Sequence, residues 1–258
     1  MIMFYFSATG NSKYIAGLFC EKMNAGCYSI EAEADFNKLI TPEDTVGFCY
    51  PVYGSRVPRL MREFAGAHMD LLKNKKLVIL CTQMGFSGDG ARALTDLFPR
   101  PRAGRAGVRR ANVIYAEHFF MPNNVCNLAV VPLAGKKLTQ WYLRNSNKKM
   151  QRTCDNIRNG IIKKRGFNPG SRALGMIQGV FLPGLERRAV KKVWIDGGCS
   201  KCGLCVAICP VDNFMFENGE IKAKGKCMMC YRCINRCPQK AITVFLRKKA
   251  KKQYAGVN

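Results

Sequence analysis

The sequence predicts an α/β protein in which a doubly wound parallel sheet is followed by a second, small α+β domain. Three observations in the 258-residue chain lead to this prediction. Short apolar runs alternate with segments of helical periodicity in the first half of the chain. Glycine-bearing loops follow three of these runs, and a doubled cysteine motif lies near the C-terminus.

The first element is a buried strand, because residues 1–6 read Met-Ile-Met-Phe-Tyr-Phe without a polar residue. The loop Ser7-Ala-Thr-Gly-Asn-Ser12 follows at once, and residues 13–22 then place apolar side chains at helical spacing. Further strands of the same parallel sheet are predicted over residues 45–50, 77–81 and 112–117.

The loop after the first strand has the composition of a phosphate-binding site. Ser7, Thr9 and Ser12 offer hydroxyls, Gly10 permits a tight backbone turn, and the following helix presents unpaired N–H groups and a favourable dipole. The loop matches neither a Walker A motif nor a GxGxxG dinucleotide motif. An ordinary helix cap is the alternative interpretation. The position at the carboxyl end of a strand favours a cofactor, and the loops at 51–58 and 82–90 lie at the same edge.

Two cysteine motifs with identical spacing lie in the last quarter of the chain. Cys199-x2-Cys202-x2-Cys205-x3-Cys209-Pro210 recurs 28 residues later as Cys227-x2-Cys230-x2-Cys233-x3-Cys237-Pro238. In the bacterial iron–sulfur run of this spacing, three close cysteines hold one [4Fe-4S] cluster and the fourth reaches across to the other. The pattern predicts one cluster on Cys199, Cys202, Cys205 and Cys237, and a second on Cys227, Cys230, Cys233 and Cys209.

A structural zinc site and a disulfide framework are the alternatives for these cysteines. Zinc sites usually pair cysteines across a longer spacer and do not call for a fourth cysteine and a proline in both copies. A disulfide framework is disfavoured because no signal peptide is visible and clusters need reduced thiolates. A domain of this size has too small a hydrophobic core to be stable alone, so we expect bound metal to stabilise it. The remaining six cysteines lack ligand spacing and are expected to be small buried side chains.

The loops Ser7-Ala-Thr-Gly-Asn-Ser12, Tyr50-Pro-Val-Tyr-Gly54 and Thr82-Gln-Met-Gly85 together resemble those of the flavodoxin family, whose cofactor is FMN. The resemblance implies that the FMN phosphate is bound by Ser7, Thr9, Gly10, Asn11 and Ser12. It places the flavin ring beside Pro51, Val52, Tyr53, Gly54, Ser55, Met84, Gly85 and Phe86. Tyr53 and Phe86 are candidates for stacking on the ring, with ordinary loop or core aromatics as the alternative.

The segment 196–246 resembles a bacterial 2[4Fe-4S] ferredoxin domain, which implies one-electron transfer. The whole chain resembles the fused ferrodoxin proteins, found mainly in anaerobic bacteria and archaea. The sequence motifs that it shares with them include residues 118–124 and 181–184. The predicted domains are a flavodoxin-like FMN domain over 1–165, a linker over 166–195, the ferredoxin domain over 196–246 and a basic tail over 247–258.

The chain is strongly basic, with 42 Lys and Arg against 17 Asp and Glu and a formal net charge of +25. About +19 remains when two clusters and FMN are bound. Such a charge attracts acidic redox proteins, anionic membrane surfaces or nucleic acid, but no nucleic-acid recognition motif is present. A long basic amphipathic helix is predicted over 136–164. Residues 247–252 are expected to form a solvated, disordered end, with a nucleic-acid-binding arm as the alternative. No transmembrane segment or secretory signal is visible, so we expect a cytoplasmic protein of undetermined oligomeric state.

Electron transfer between FMN and two [4Fe-4S] clusters is the function that these features predict. FMN takes electrons singly or in pairs, whereas each cluster moves one. The alternative is a flavin-dependent reductase of a small molecule, with the ferredoxin domain as its electron supply. A basic, nucleic-acid-binding iron–sulfur protein is a third hypothesis. The sequence shows no nucleophile–base pair, so it leaves open whether the protein is an enzyme.

Overall fold

The computed structural model describes residues 1–85, 88–99, 111–127 and 133–257, apart from the side chains of Phe181 and Leu182. In chain order the N-terminal elements are β1 (Ile2–Tyr5), α1 (Asn11–Met23), β2 (Gly26–Ser29), α2 (Phe36–Ile40), β3 (Thr45–Pro51), α3 (Arg59–Ala67), α4 (Met69–Leu72), β4 (Lys76–Gln83), α5 (Gly90–Thr95), β5 (Asn112–Phe120), α6 (Lys136–Arg158) and β6 (Lys163–Lys164). The C-terminal elements are α7 (Pro169–Lys191), β7 (Val193–Ile195), α8 (Leu204–Ile208), β8 (Phe214–Glu217), β9 (Glu220–Ala223), α9 (Arg232–Arg236) and β10 (Ile242–Val244).

The N-terminal strands form one parallel sheet in the order β2-β1-β3-β4-β5-β6. The predicted doubly wound α/β class is confirmed. The chain leaves β1 on one side to reach β2 and continues on the other side with β3, which places a topological switch point between β1 and β3. A crevice for a ligand is expected at the carboxyl ends of these two strands.

The central strands are buried on both faces, and successive side chains enter two separate cores. Phe48 and Ile79 pack in one core with residues of α3 and α5. Their neighbours Cys49 and Leu80 pack in the other, with residues of α1 and α6. This two-sided burial explains why the central strands are continuous apolar runs.

Two edge strands were not predicted from the sequence. Strand β2 reads Gly-Cys-Tyr-Ser, and its side chains are largely exposed. Strand β6 contains only Lys163 and Lys164. Neither has the apolar run or the alternation by which a strand is recognised. The predicted helix over 136–164 ends at Arg158, because β6 occupies the last part of that range.

A buried carboxylate joins β5 to the basic segments around it. The Glu117 side chain is 1% exposed, and its oxygens lie 2.8 Å from Lys163 Nζ, 3.0 Å from Lys149 Nζ and 3.6 Å from Arg165 Nε. Burial by itself raises the pKa of this carboxyl, but the hydrogen bond from Lys163 and the charge of Lys149 lower it below its usual value. Part of the positive charge of this region therefore neutralises a buried acid.

His118 follows Glu117 and is held neutral by burial. The Ala91 N–H donates to His118 Nε2 at 3.3 Å, and burial lowers the pKa of the imidazole to about 4. A lowered pKa means that the unfolded chain binds a proton more readily. The neutral His118 side chain therefore makes its full contribution to the stability of the folded protein above about pH 6.5, and this contribution is lost as the pH falls towards 4.

Lowering the pH from 7.5 to 5.5 is expected to remove about 1.3 kcal/mol of unfolding free energy through His118 alone. Urea unfolding followed by Trp141 fluorescence, in a Trp194→Phe background, measures the stability of the N-terminal domain at both pH values. His118→Gln keeps an acceptor but has no proton to bind, so this part of the pH dependence is expected to disappear. An equal pH dependence in both proteins would contradict the assignment.

The C-terminal domain is built from two small antiparallel pairs, β10-β7 and β8-β9. Its core contains Phe214, Ile221, Ile242 and Val244. Because β7 pairs with β10, the small sheet begins before the predicted domain start at residue 196.

The segment predicted as a linker over 166–195 is mostly the helix α7. Asn168 caps this helix by accepting a hydrogen bond from the Ser171 N–H at 2.8 Å, and Pro169 occupies its first turn. Pro183 lies within it. Among the described residues, no helix has both the length and the apolar character that a membrane crossing requires.

Candidate functional site

A cavity of about 490 Å³ opens at the carboxyl ends of β1, β3 and β4, between the sheet and the C-terminal domain. Ten of the residues predicted to bind FMN line it: Ser7, Thr9, Asn11, Ser12, Pro51, Val52, Tyr53, Gly54, Ser55 and Met84. Gly10 and Gly85 are not part of this lining, and Phe86 lies outside the described residues. The three predicted loops therefore meet at one site.

The loop after β1 turns sharply into helix α1. Gly10 has φ of +103°, a conformation that side chains rarely allow, and its N–H donates to Ser7 Oγ at 3.2 Å. Ser12 Oγ and Thr82 Oγ1 are 2.7 Å apart, which fixes the loop to the end of β4. The start of α1 thus faces a cavity lined by hydroxyls, a suitable environment for a phosphate.

The loop after β3 is a tight turn. Tyr53 and Arg56 exchange backbone hydrogen bonds of 3.1 and 2.9 Å, and both Gly54 and Ser55 have positive φ, as in a type I′ turn. Ser55 Oγ accepts a hydrogen bond from the Gly88 N–H at 2.7 Å and also contacts the side-chain oxygen of Gln178. Helix α7 therefore supports the turn that forms one wall of the cavity.

The Tyr53 hydroxyl is buried and has no hydrogen-bond partner among the residues that the structure describes. Burial and the neighbouring Cys230 raise the pKa of this phenol well above its usual value, so it stays protonated. The Tyr53 side chain packs against the cores of both domains. An unpartnered polar group beside the cavity is compatible with a polar ligand there.

Other parts of the chain complete the lining of the cavity beside the phosphate-type loop, residues 7–12. Met229, Tyr231 and Phe245 come from the C-terminal domain, and Asn123 and Asn124 follow β5. Sequence reasoning did not include these five residues in the site. The motif at residues 118–124 was the available signal for the two asparagines, but no spacing rule relates the C-terminal residues to the sheet.

The eight motif cysteines gather into two groups. Cys199, Cys202, Cys205 and Cys237 line one small cavity, and Cys209, Cys227, Cys230 and Cys233 line a second. Cys233 also borders the first cavity, so the two are adjacent. The groups coincide with the predicted sets, in which the fourth cysteine of each motif crosses to the other.

Backbone N–H groups point at the sulfur atoms in the same way in both motifs. Lys201 N donates to Cys199 Sγ at 3.4 Å, and Met229 N donates to Cys227 Sγ at 3.5 Å. The fourth cysteine of each motif also accepts a hydrogen bond from a backbone N–H. Asn213 N lies 3.2 Å from Cys209 Sγ, and Ala241 N lies 3.3 Å from Cys237 Sγ. Such donors stabilise thiolates and suit the ligands of an iron–sulfur cluster.

A [4Fe-4S] cluster is bound through four iron atoms, each with its own thiolate. Over the described ranges, no group of three or more His, Cys, Asp or Glu side chains is placed so that it could hold a single metal ion.

Comparison with protein families gives two matches, on separate parts of the chain. Residues 2–122 match the flavodoxin domain model, and residues 198–242 match the 4Fe-4S dicluster domain model. The chain joins a flavodoxin domain to a 4Fe-4S dicluster domain. The predicted fusion is confirmed, and its predicted cofactors, FMN and two [4Fe-4S] clusters, are those of the two matched families. No curated protein matches the chain.

Two solved structures illustrate what this chain is similar to. General stress protein 14 of Treponema denticola, in complex with FMN, is 15% identical, with a TM-score of 0.39 over 60% of this chain and 96% of that one. Two-electron reduced Megasphaera elsdenii flavodoxin is 18% identical, with a TM-score of 0.36 over 58% of this chain and 99% of that one.

The end of the chain contacts both domains. The Tyr254 hydroxyl lies 2.5 Å from Asn11 Oδ1, and Tyr254 N donates to Asn235 Oδ1 at 2.7 Å. Ala250 and Tyr254 are buried. The charged side chains of residues 247–252 are exposed, as expected of a solvated stretch, whereas the two buried residues hold the end of the chain in place.

Gly10→Ala is expected to weaken FMN binding about tenfold. An added Cβ at Gly10 would lie 3.2 Å from the Val257 carbonyl oxygen, at a positive φ that costs alanine about 1–2 kcal/mol. Fluorescence titration with FMN measures the change. Gly17→Ala, in the helix that follows Gly10, is the control because no other described part of the chain lies within 4 Å of its added Cβ. Equal FMN affinities in the two variants would contradict the placement of the loop.

Proposed function

We propose that the protein relays electrons between FMN, bound by the flavodoxin domain, and two [4Fe-4S] clusters, bound by the dicluster domain. The two domain matches make it an FMN and iron–sulfur electron-transfer protein. The relay itself is supported by one observation: residues of both domains line the cavity assigned to FMN. Met229 and Tyr231, which flank the cluster ligand Cys230, line this cavity together with residues of the loop at 7–12.

The FMN phosphate is assigned to Ser7, Thr9, Gly10, Asn11 and Ser12, at the start of α1. The loops at residues 51–55 and 84–86 are assigned to the flavin ring. Tyr231 and Phe245, which also line the cavity, join Tyr53 as aromatic residues available to the ring. FMN would exchange electrons singly or in pairs, and the clusters one at a time.

The ligand sets are assigned as the two cysteine groups of the structure. Cys202 is exposed, whereas Cys230 is buried against the flavodoxin core. The first cluster would therefore lie nearer the surface, and the second nearer the FMN cavity. We assign the external partner as an acidic redox protein, because the formal net charge is +25. A reducing compartment such as the cytoplasm suits cluster thiolates.

Composition and turnover of the anaerobically purified protein test this function. The relay predicts one FMN and about eight irons per chain, and transfer from the reduced protein to one-electron protein acceptors. Sustained turnover of a small-molecule acceptor would favour the reductase alternative. A protein with full iron content that neither contains nor binds FMN would contradict both functions.

A further inference from the structure

Arg232 lies in the spacer between two ligands of the second cluster, and all five of its N–H groups are used. Nε donates to the Ala8 carbonyl at 3.0 Å, and Nη2 donates to the Ser7 carbonyl at 2.8 Å. Nη1 donates to the Ile208 carbonyl at 3.0 Å. The two Glu31 carboxylate oxygens each accept one of the remaining N–H groups at 2.6 Å.

These contacts connect three parts of the chain through one side chain. Ser7 and Ala8 belong to the loop assigned to the FMN phosphate, Glu31 follows β2, and Ile208 precedes the cluster ligand Cys209. The Arg232 side chain is only 18% exposed. Paired charge-assisted bonds to a carboxylate are strong when shielded from water, and the point charge of lysine does not reproduce them.

The contacts with the two carbonyl groups also orient the amides that follow them. The described peptide bonds are trans, so a carbonyl and the N–H of the next residue point in opposite directions. The Ser7 and Ala8 carbonyls face Arg232, and the N–H groups of Ala8 and Thr9 therefore point away from it. Ala8 and Thr9 line the cavity. An anion bound by those N–H groups would polarise both peptides and strengthen the bonds to Arg232.

A second connection runs parallel to the first. Asn124 Nδ2 lies 3.1 Å from Thr9 Oγ1 and 3.4 Å from the Cys230 carbonyl oxygen. Asn235 Nδ2 in turn donates to the Asn124 carbonyl at 2.8 Å. The loop at residues 7–12 is thus connected to the cysteine motif on both sides of Tyr231, through Asn124 at Cys230 and through Arg232.

We propose that Arg232 is a positioning residue that couples the two cofactor sites, so that FMN binding and iron retention by Cys209, Cys227, Cys230 and Cys233 stabilise each other. This inference rests on the proposed function. The coupling is reciprocal: the factor by which bound FMN strengthens iron retention equals the factor by which iron strengthens FMN binding.

Iron retention at equilibrium against a competing chelator, measured on anaerobic holoprotein with and without saturating FMN, tests the coupling. In the wild-type protein the ratio of the apparent iron affinities of the second cluster site, with FMN to without FMN, is expected to be about 5 to 150. In Arg232→Lys this ratio is expected to approach one, and the FMN dissociation constant to rise by a similar factor. Glu31→Gln removes the ion pair but leaves the carbonyl contacts, so it is expected to reduce the ratio partially.

Arg236→Lys is the matched control, since it makes the same change at an exposed position of the same helix, α9. It is expected to behave as the wild type. An unchanged ratio in Arg232→Lys and Glu31→Gln, or a wild-type protein that binds both cofactors with a ratio of one, would overturn the coupling alone. A wild-type protein that binds no FMN or no iron would contradict the proposed function, and the coupling with it.

Discussion

Cys230→Ser is expected to remove one cluster and to weaken FMN binding, whereas Cys202→Ser removes the other cluster and leaves FMN binding unchanged. Either change should lower the iron content by about half. The difference for FMN follows from position. The neighbours of Cys230 form part of the cavity wall, whereas Cys202 lies exposed in the other cysteine group.

Iron analysis and FMN fluorescence titration of the two variants measure both effects in parallel. We expect the FMN dissociation constant of Cys230→Ser to rise about tenfold, because the loop that carries Met229 and Tyr231 loses its metal anchor. Equal FMN affinities in the two variants would show that the wall is independent of the second cluster. An unchanged iron content in either would contradict the ligand assignment.

Gly175→Ala is expected to destabilise the flavodoxin domain by about 3 kcal/mol. Helix α7 approaches Asp89 so closely at Gly175 that an added Cβ would lie 1.8 Å from Asp89 Oδ1. The Asp89 carboxylate is buried and is held by Arg92 at 2.6 Å, so it has no open space to move into. Helix α7 would have to move outwards, which would also withdraw Gln178 from Ser55 at the cavity.

Gly184→Ala is the control in the same helix, because no neighbouring group among the described residues lies within 4 Å of its added Cβ. Replacing glycine by alanine there is expected to raise stability by up to about 1 kcal/mol. Urea unfolding of both variants, together with FMN titration, measures the contrast. Similar stabilities would mean that α7 does not pack against the loop at residues 88–90.

The parts of the fold that could be predicted from the sequence are those whose signal is local. The apolar runs at residues 1–6, 45–50 and 77–81 mark central strands, because a strand buried on both faces has no polar positions. The spacing of the cysteines predicted two ligand sets, and the structure brings together the same two groups. These signals lie within short segments, apart from the crossing of the fourth cysteines, which follows from the bacterial iron–sulfur pattern.

The contacts between the domains left no such signal. Arg232 is one of many arginines in the sequence, and only the folded chain brings it to residues about 220 positions away. Tyr254 lies just beyond the basic stretch 247–252, which suggested a solvated end. Helix α7 was predicted as a linker because its glycines and Pro183 obscure helical periodicity, although Gly175 is what permits its close packing.

Flash photoreduction of the flavin in the anaerobic holoprotein tests the relay most directly. The account predicts that reduction of the flavin is followed by bleaching of the iron–sulfur absorbance, at a rate independent of protein concentration, because donor and acceptor lie on the same chain. A bleaching rate that rises in proportion to protein concentration, or no bleaching while the flavin stays reduced, would contradict electron transfer across the cavity between the two domains.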